Sequence, residues 1–231
     1  MVFVHRTSAS GKSYNPIFAE NEWADIIEAC HANEVPDTWV ADGTCYKDML
    51  INGTNYRIDI IGKNHDDLAD GTGKAPLTFQ MHDCYTTTYQ MNSSNTNSGG
   101  WQNSAMRTTR LPAILALMPA DVQAGIREVQ KKSSAGSQSS SIQTTNDKLF
   151  LLSEIEIFGS TTYSFAGEGK QYAYYQAGNS KVKTRSGSAR WWWERSPDSG
   201  DSARFCYVAA DGNADWGHAN TSGGVAFAFC F

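Results

Sequence analysis

The sequence predicts an α+β domain, with two or more helices packed on a twisted, mainly antiparallel sheet and long irregular loops. Three observations carry that prediction. Trp23, Ile26, Ile27 and Cys30 recur at i, i+3, i+4 and i+7, which marks the apolar face of a helix. Asn52-Gly53 lies between two alternating segments, the strongest short hairpin signal. The carboxyl third holds aromatic strand-like strings separated by Gly, Asp, Ser and Asn turns.

In chain order, Asn21 is expected to cap the first helix, Asn33 to stop it and Pro36 to forbid its continuation. The hairpin runs from Tyr46 to Ile51 and from Thr54 to Ile61, with Tyr56, Ile58 and Ile60 on one face and Arg57 and Asp59 on the other. A third strand, Leu77 to Met81, follows the turn at Gly71 to Gly73. Residues 85–104 read as a long ordered loop, because Trp101 and Met106 stand at its end. Leu111 to Met118, Pro119, and then Val122, Ile126 and Val129 predict a helix, a kink and a second helix. Ser133 to Thr145 is almost all small and polar and reads as a mobile loop or connector. Lys148 to Phe158 reads as a strong strand, central in its sheet where both faces are apolar. Trp191 to Trp193, Phe205 to Val208 and Val225 to Phe231 complete the strands, the last with Val225, Phe227, Phe229 and Phe231 on one face. No internal repeat is present, and the first half lacks the strands to close a core alone, so one domain over 1–231 is expected.

Charged residues make up 19% of the chain and the net charge is -5. Polarity rests instead on Ser, Thr, Asn, Gln and Gly, which suits uncharged recognition outside a cell. The densest basic stretch, Lys181 to Arg190, is broken by Ser and Gly, which argues against nucleic acid as a partner. No apolar run approaches the ~20 residues that span a bilayer, so no membrane insertion is expected. Met1 to Arg6 lacks the apolar core of a signal peptide. The chain is therefore expected to be intracellular, carried on a larger assembly, or a fragment of a longer protein. Five cysteines without a CxxC pair exclude a zinc ribbon and read as buried thiols, with a Cys206–Cys230 bridge as the alternative.

Several strings in order resemble the family known as domain of unknown function 6273. They are Ile58 to Asp66, Gly100 to Arg107, Leu151 to Glu156, Trp192-Trp193-Glu194-Arg195-Ser196-Pro197, and Gly224 to Phe229. Two departures stand out: Glu194 occupies an apolar position, and Ala226-Phe227 replaces Arg-Pro. The family's C-terminal pattern is similar to the C-type-lectin-like fold of formylglycine-generating enzymes and of diversity-generating-retroelement variable proteins. The resemblance implies a terminal strand that pairs back near the start of the lectin-like domain, with long loops forming a ligand face over 191–231. It also implies a phage or prophage setting at a tail-fibre tip, hence a location on a virion or extracellular surface through a larger assembly, and a host surface protein or glycan as partner.

The leading candidate site is the stretch 198–222, with Ser199, Asp201, Ser202, Arg204, Tyr207, Asn213, Asp215, Trp216, His218 and Asn220 as ligand-binding residues. Short polar side chains with Tyr, Trp and Arg make an adaptable contact surface. The stretch contains no Lys, Glu, Gln, Met, Ile or Leu. Mutating the adenines of Asn codons cannot reach Lys, Glu, Gln or Met, so this composition is compatible with diversified loops. An ordinary solvated turn region is the plain alternative.

Trp191 to Trp193 could stack on a sugar or peptide, but core packing is expected for at least one face. Arg195 is expected to pair with a buried carboxylate or with carbonyls. His65-Asp66-Asp67 and His82-Asp83-Cys84 hold metal-ligand residue types, yet neighbours on a strand point oppositely, so capped turns and a hydrogen-bonded His are expected. Calcium at Asp66, Asp67 and Asp70 is a weaker rival. Glu154 and Glu156 read as a solvated strand face rather than a glycosidase pair. No metal or cofactor is expected. With no G-x-S-x-G, HExxH or phosphate loop, the chain reads as non-enzymatic. The alternatives are a formylglycine-generating-type oxidase or another hydrolase, and a virion structural or decoration protein that forms a homo-oligomer through its loops.

Overall fold

The computed structural model describes residues 11–231. The N-terminal segment read against a signal peptide lies outside the described residues. The first elements are a 3-10 turn, Phe18–Glu20, and the helix α1, Trp23–His31. Glu22, not Asn21, is the N-cap of α1. Asn21 is buried and donates to the carbonyls of Asn15, Ile17 and Phe18, so its amide secures the chain before the helix. Asn33 takes a positive φ of 56°, as a stop residue should.

The strands β1, Tyr46–Ile51, and β2, Thr54–Lys63, form the Asn-Gly hairpin, with Asn52 and Gly53 both at positive φ. β3, Leu77–Met81, pairs with β2. After the long loop come α2, Gly100–Asn103, a π-helical turn, Met106–Arg110, α3, Leu111–Leu115, and α4, Ala120–Gly125. Pro119 separates α3 from α4 and sits at the N-cap of α4, where its missing N–H costs nothing. Val129 belongs to a strand and not to the second helix.

The polar stretch 133–145 is not a mobile connector. It lies within a hairpin of β4, Val129–Gly136, and β5, Ser139–Asp147. The inward positions of this hairpin are themselves polar: Lys131, Ser133, Thr145 and Asp147 are all buried. The expected strand 148–158 is also corrected. Only β6, Leu149–Phe150, is a strand, and Glu154–Phe158 is the helix α5. Ser153 and Glu156 form a capping box, which turns the chain helical despite its strand-like apolar run. The chain continues through α6, Ala173–Gln176, β7, Lys183–Arg185, β8, Ser188–Arg190, β9, Trp192–Pro197, β10, Arg204–Val208, β11, Ala214–His218, and β12, Ala228–Cys230.

The main sheet has the order β1-β2-β3-β12-β6, and a second sheet has the order β11-β10-β9. Every pairing between these named strands is antiparallel, which makes the fold α+β with mostly antiparallel sheets. The terminal strand is central, held between β3 and β6. Phe79, Phe229 and Phe231 cluster with ring centroids 5.2–5.4 Å apart. The alternate residues Ala226, Ala228 and Cys230 are equally buried, so both faces of this segment are apolar.

Candidate functional site

The second sheet is fixed from below by buried charge. Arg195 of β9 is fully buried. Its Nη1 and Nη2 donate to the two Glu156 oxygens at 2.5 and 2.9 Å, a bidentate pair. Its remaining N–H groups reach the carbonyls of Lys132, Leu151 and Glu168. Glu156 also receives Lys131 Nζ at 2.7 Å, and Lys131 bridges on to Asp66 at 2.7 Å. Glu154 accepts the backbone N–H groups of Thr162, Tyr163 and Ser164. Both glutamates are therefore buried frame residues, not a solvated strand face, because α5 turns them inward.

The acids of this frame differ in their ionisation. Burial alone would raise the Asp66 carboxyl, but Lys131 and His65 outweigh it and bring it down to about 2. Burial lifts Glu168 to about 7, against the Ser196 hydroxyl and Arg195. Glu194 is fully buried and neither carboxyl oxygen has a hydrogen-bond partner. Burial, with Glu154 and Glu168 nearby, holds its acid well above the usual range.

On this frame the register of β10 and β11 sets two faces. Tyr207 pairs with Asp215, and Cys206 with Trp216. On the first face Tyr207 Oη donates to Asp215 at 2.9 Å. The Tyr207 ring lies 4.7 Å from Trp191, which meets Trp193 edge-on at 4.8 Å. Trp192 and Trp193 are core residues, while Trp191 is half-buried. On the second face the Arg204 guanidinium covers the Trp216 ring at 3.5 Å and pairs with Asp201 at 3.2 Å. His218 is exposed and its Nδ1 is 3.2 Å from the Asn95 amide.

The candidate residues thus divide. Arg204, Tyr207, Asp215, Trp216 and His218 share one small sheet. Asn213 and Asn220 are exposed at the turns beyond it, where Asp211 accepts from the Asn213 N–H and Gln90 donates to the Asn220 carbonyl. Ser199, Asp201 and Ser202 lie in a pinned turn. Asn97 is fully buried and its amide donates to the carbonyls of Asp201 and Arg204 at 2.9 and 2.7 Å. Asn97 N–H donates to the Ser202 carbonyl, and its Oδ1 accepts from Ser137. Ser199 Oγ donates to the Tyr163 carbonyl. Gln90, Asn95 and Asn97, all from the long loop after β3, had no signal of their own beyond residue type.

The other motifs resolve into structure. Asp66, Asp67 and Asp70 do not converge: each has its own cation, Lys131, Lys74 and Arg127 respectively. His65 stacks on Tyr172 at 4.0 Å, and His82 Nδ1 meets Asp59 at 2.6 Å. Among the described residues no three His, Cys, Asp or Glu side chains are grouped to hold a metal, and all five cysteines are free.

This is an α+β domain in which a short three-stranded sheet carries polar and aromatic side chains over a buried ionic frame. Residues 77–231 match the domain of unknown function DUF6273, and the chain belongs to that family. The match begins at Leu77, the first residue of β3, so it takes in the strand that receives the terminal β12. No curated protein and no solved structure matches the chain.

Proposed function

We propose that this protein is a non-enzymatic binding domain that recognises a host surface protein or glycan through the β9–β11 sheet and its turns. One observation carries the reading: Arg204, Trp216 and His218 share one face of the β10–β11 ladder, Tyr207 and Asp215 share the other, and Arg195, Glu156 and Lys131 tie this sheet to the core. Rigid aromatic and arginine anchors on an ordered support lose little entropy on binding, which is what contact surfaces exploit.

The C-type-lectin-like relation is part of the proposal. It is supported by the return of β12 to β3 and by the long loop after β3, which reaches the β9–β11 sheet and its turns through Gln90, Asn95 and Asn97. A phage or prophage origin, at a tail-fibre tip or as a diversified variable protein, rests on the resemblance and on the composition of 198–222.

The test is binding of the labelled full chain to a panel of intact bacterial cells and arrayed glycans. It is paired with a variant carrying Arg204→Ala, Trp216→Ala and His218→Ala. Binding by the parent that the variant loses at unchanged thermal midpoint supports the reading. Binding that survives the triple substitution, or that is absent from the whole panel, contradicts it.

A further inference from the structure

We propose that a cleft beside the β7–β8 hairpin binds a carboxylate carried on a sugar ring. The cleft is a half-open cavity of about 140 Å³, lined by Arg185, Arg190, Trp191 and the hydroxyl-bearing Thr88 and Ser222. Gly223 and Gly224 form the rest of its lining.

Charge is the first argument. Arg195, Lys131, Arg107 and Arg127 each meet a carboxylate. The two cleft arginines meet none among the described residues. Arg185 Nη1 donates to the Thr86 carbonyl at 3.1 Å, and its Nε is buried without a partner. Arg190 is exposed at the end of β8, where it pairs in the ladder with Lys183, and its side chain has no hydrogen bond or ion pair among the described residues. The nearby Asp83 is engaged, its Oδ1 accepting the Thr184 N–H at 2.6 Å. Two guanidinium forks without an internal acid, in a chain of net charge -5, select an external carboxylate.

Shape is the second. Trp193 and Tyr207 fix the Trp191 ring from two sides. A side chain at Gly223 would collide with that ring, and one at Gly224 would meet the Trp191 carbonyl at 2.7 Å and Cys84 Sγ at 2.8 Å. The glycines let the ring close down on the terminal segment and keep the cleft open. An aromatic wall, two hydroxyls and a pair of cations complement one ring that bears hydroxyls and an acid group.

An acidic peptide fits less well. The backbone N–H groups of Gly223 and Gly224 already donate to Tyr89 and Trp191, so the terminal segment offers no free N–H there for an extended chain to pair with. The cavity also has room for little more than one ring.

This inference rests on the binding reading above for its biological sense, but the two fail separately. The experiment is a Trp-fluorescence titration of the full chain with glucuronic acid and with methyl glucoside, its uncharged counterpart. The acid should bind at least tenfold more tightly. Arg190→Gln should lose at least tenfold, about 1.4 kcal/mol, at an unchanged thermal midpoint. Trp216→Ala, on the sheet, removes one fluorophore but should leave the affinity for glucuronic acid unchanged, so a failure of the sheet reading would not mimic a failure here. Equal binding of both sugars, no binding of either, or an Arg190→Gln variant with parental affinity overturns the cleft assignment. A Glu-rich peptide that displaces glucuronate at equal concentration overturns the sugar assignment.

Discussion

Arg195 and Glu156 face each other through two parallel hydrogen bonds of 2.5 and 2.9 Å in a fully buried setting, and this pair joins β9 to α5. Removing one partner would strand the other charge in the interior. Glu156→Gln and Arg195→Met are each expected to destabilise the protein by about 3–5 kcal/mol in urea denaturation. Arg195→Lys should recover only part of that, because an ammonium cannot reproduce the bidentate fork or reach three carbonyls as well.

Glu194 is the opposite case, a buried acid with no partner. Its folded pKa is raised first by burial and then by Glu154 and Glu168. A raised acid contributes its stability below the unfolded value of 4.5 and loses it as pH rises toward the folded value. Glu194→Leu should therefore stabilise the protein at pH 8 by about 1–3 kcal/mol. The gain should shrink toward pH 4, as thermal midpoints across pH would record.

Glu168 and Asp66 bend the pH profile in opposite directions. Glu168, raised to about 7, favours the fold below pH 4.5 and loses that contribution as pH climbs through 7. Asp66, lowered to about 2, favours the fold above 3.8 and loses it as pH falls through 2. Stability should accordingly peak on the acid side of neutrality. Glu168→Gln should flatten the fall between pH 5 and 8 in chemical denaturation.

Asn97 gathers the turn before β10 by donating to the carbonyls of Asp201 and Arg204 and accepting from Ser137. Asn97→Ala would leave buried groups unsatisfied at about 1–3 kcal/mol. Hydrogen exchange should accelerate at Ser137 and across 198–204, and remain slow in β3 and β12.

The sequence made some of this legible because the signals were local. Asn52-Gly53 marked its hairpin, Leu77 to Met81 its strand, and Arg195 its buried ion pair. The β4–β5 hairpin was missed because periodicity is detected through apolar residues, whereas here Lys131, Ser133, Thr145 and Asp147 are the inward side chains. Glu154 to Phe158 was misread as strand because five residues are too few for a helical period. The capping box at Ser153 and Glu156 was the signal to follow. Of the site, residue types were visible and grouping was not. His218 meets Asn95 across 123 residues and Asn97 meets Asp201 across 104, separations that only the tertiary fold closes.

The central claim is that the β9–β11 sheet is a rigid support whose outward side chains bind. An alanine scan over 199–220, read for thermal midpoint and for binding to the cell or glycan retained in the panel, tests it most directly. The account predicts that Arg204, Trp216 and His218 lose binding at a nearly constant midpoint, while Phe205 and Val208 lose the midpoint first. Binding losses that merely follow stability, or that fall only at buried positions, would contradict it.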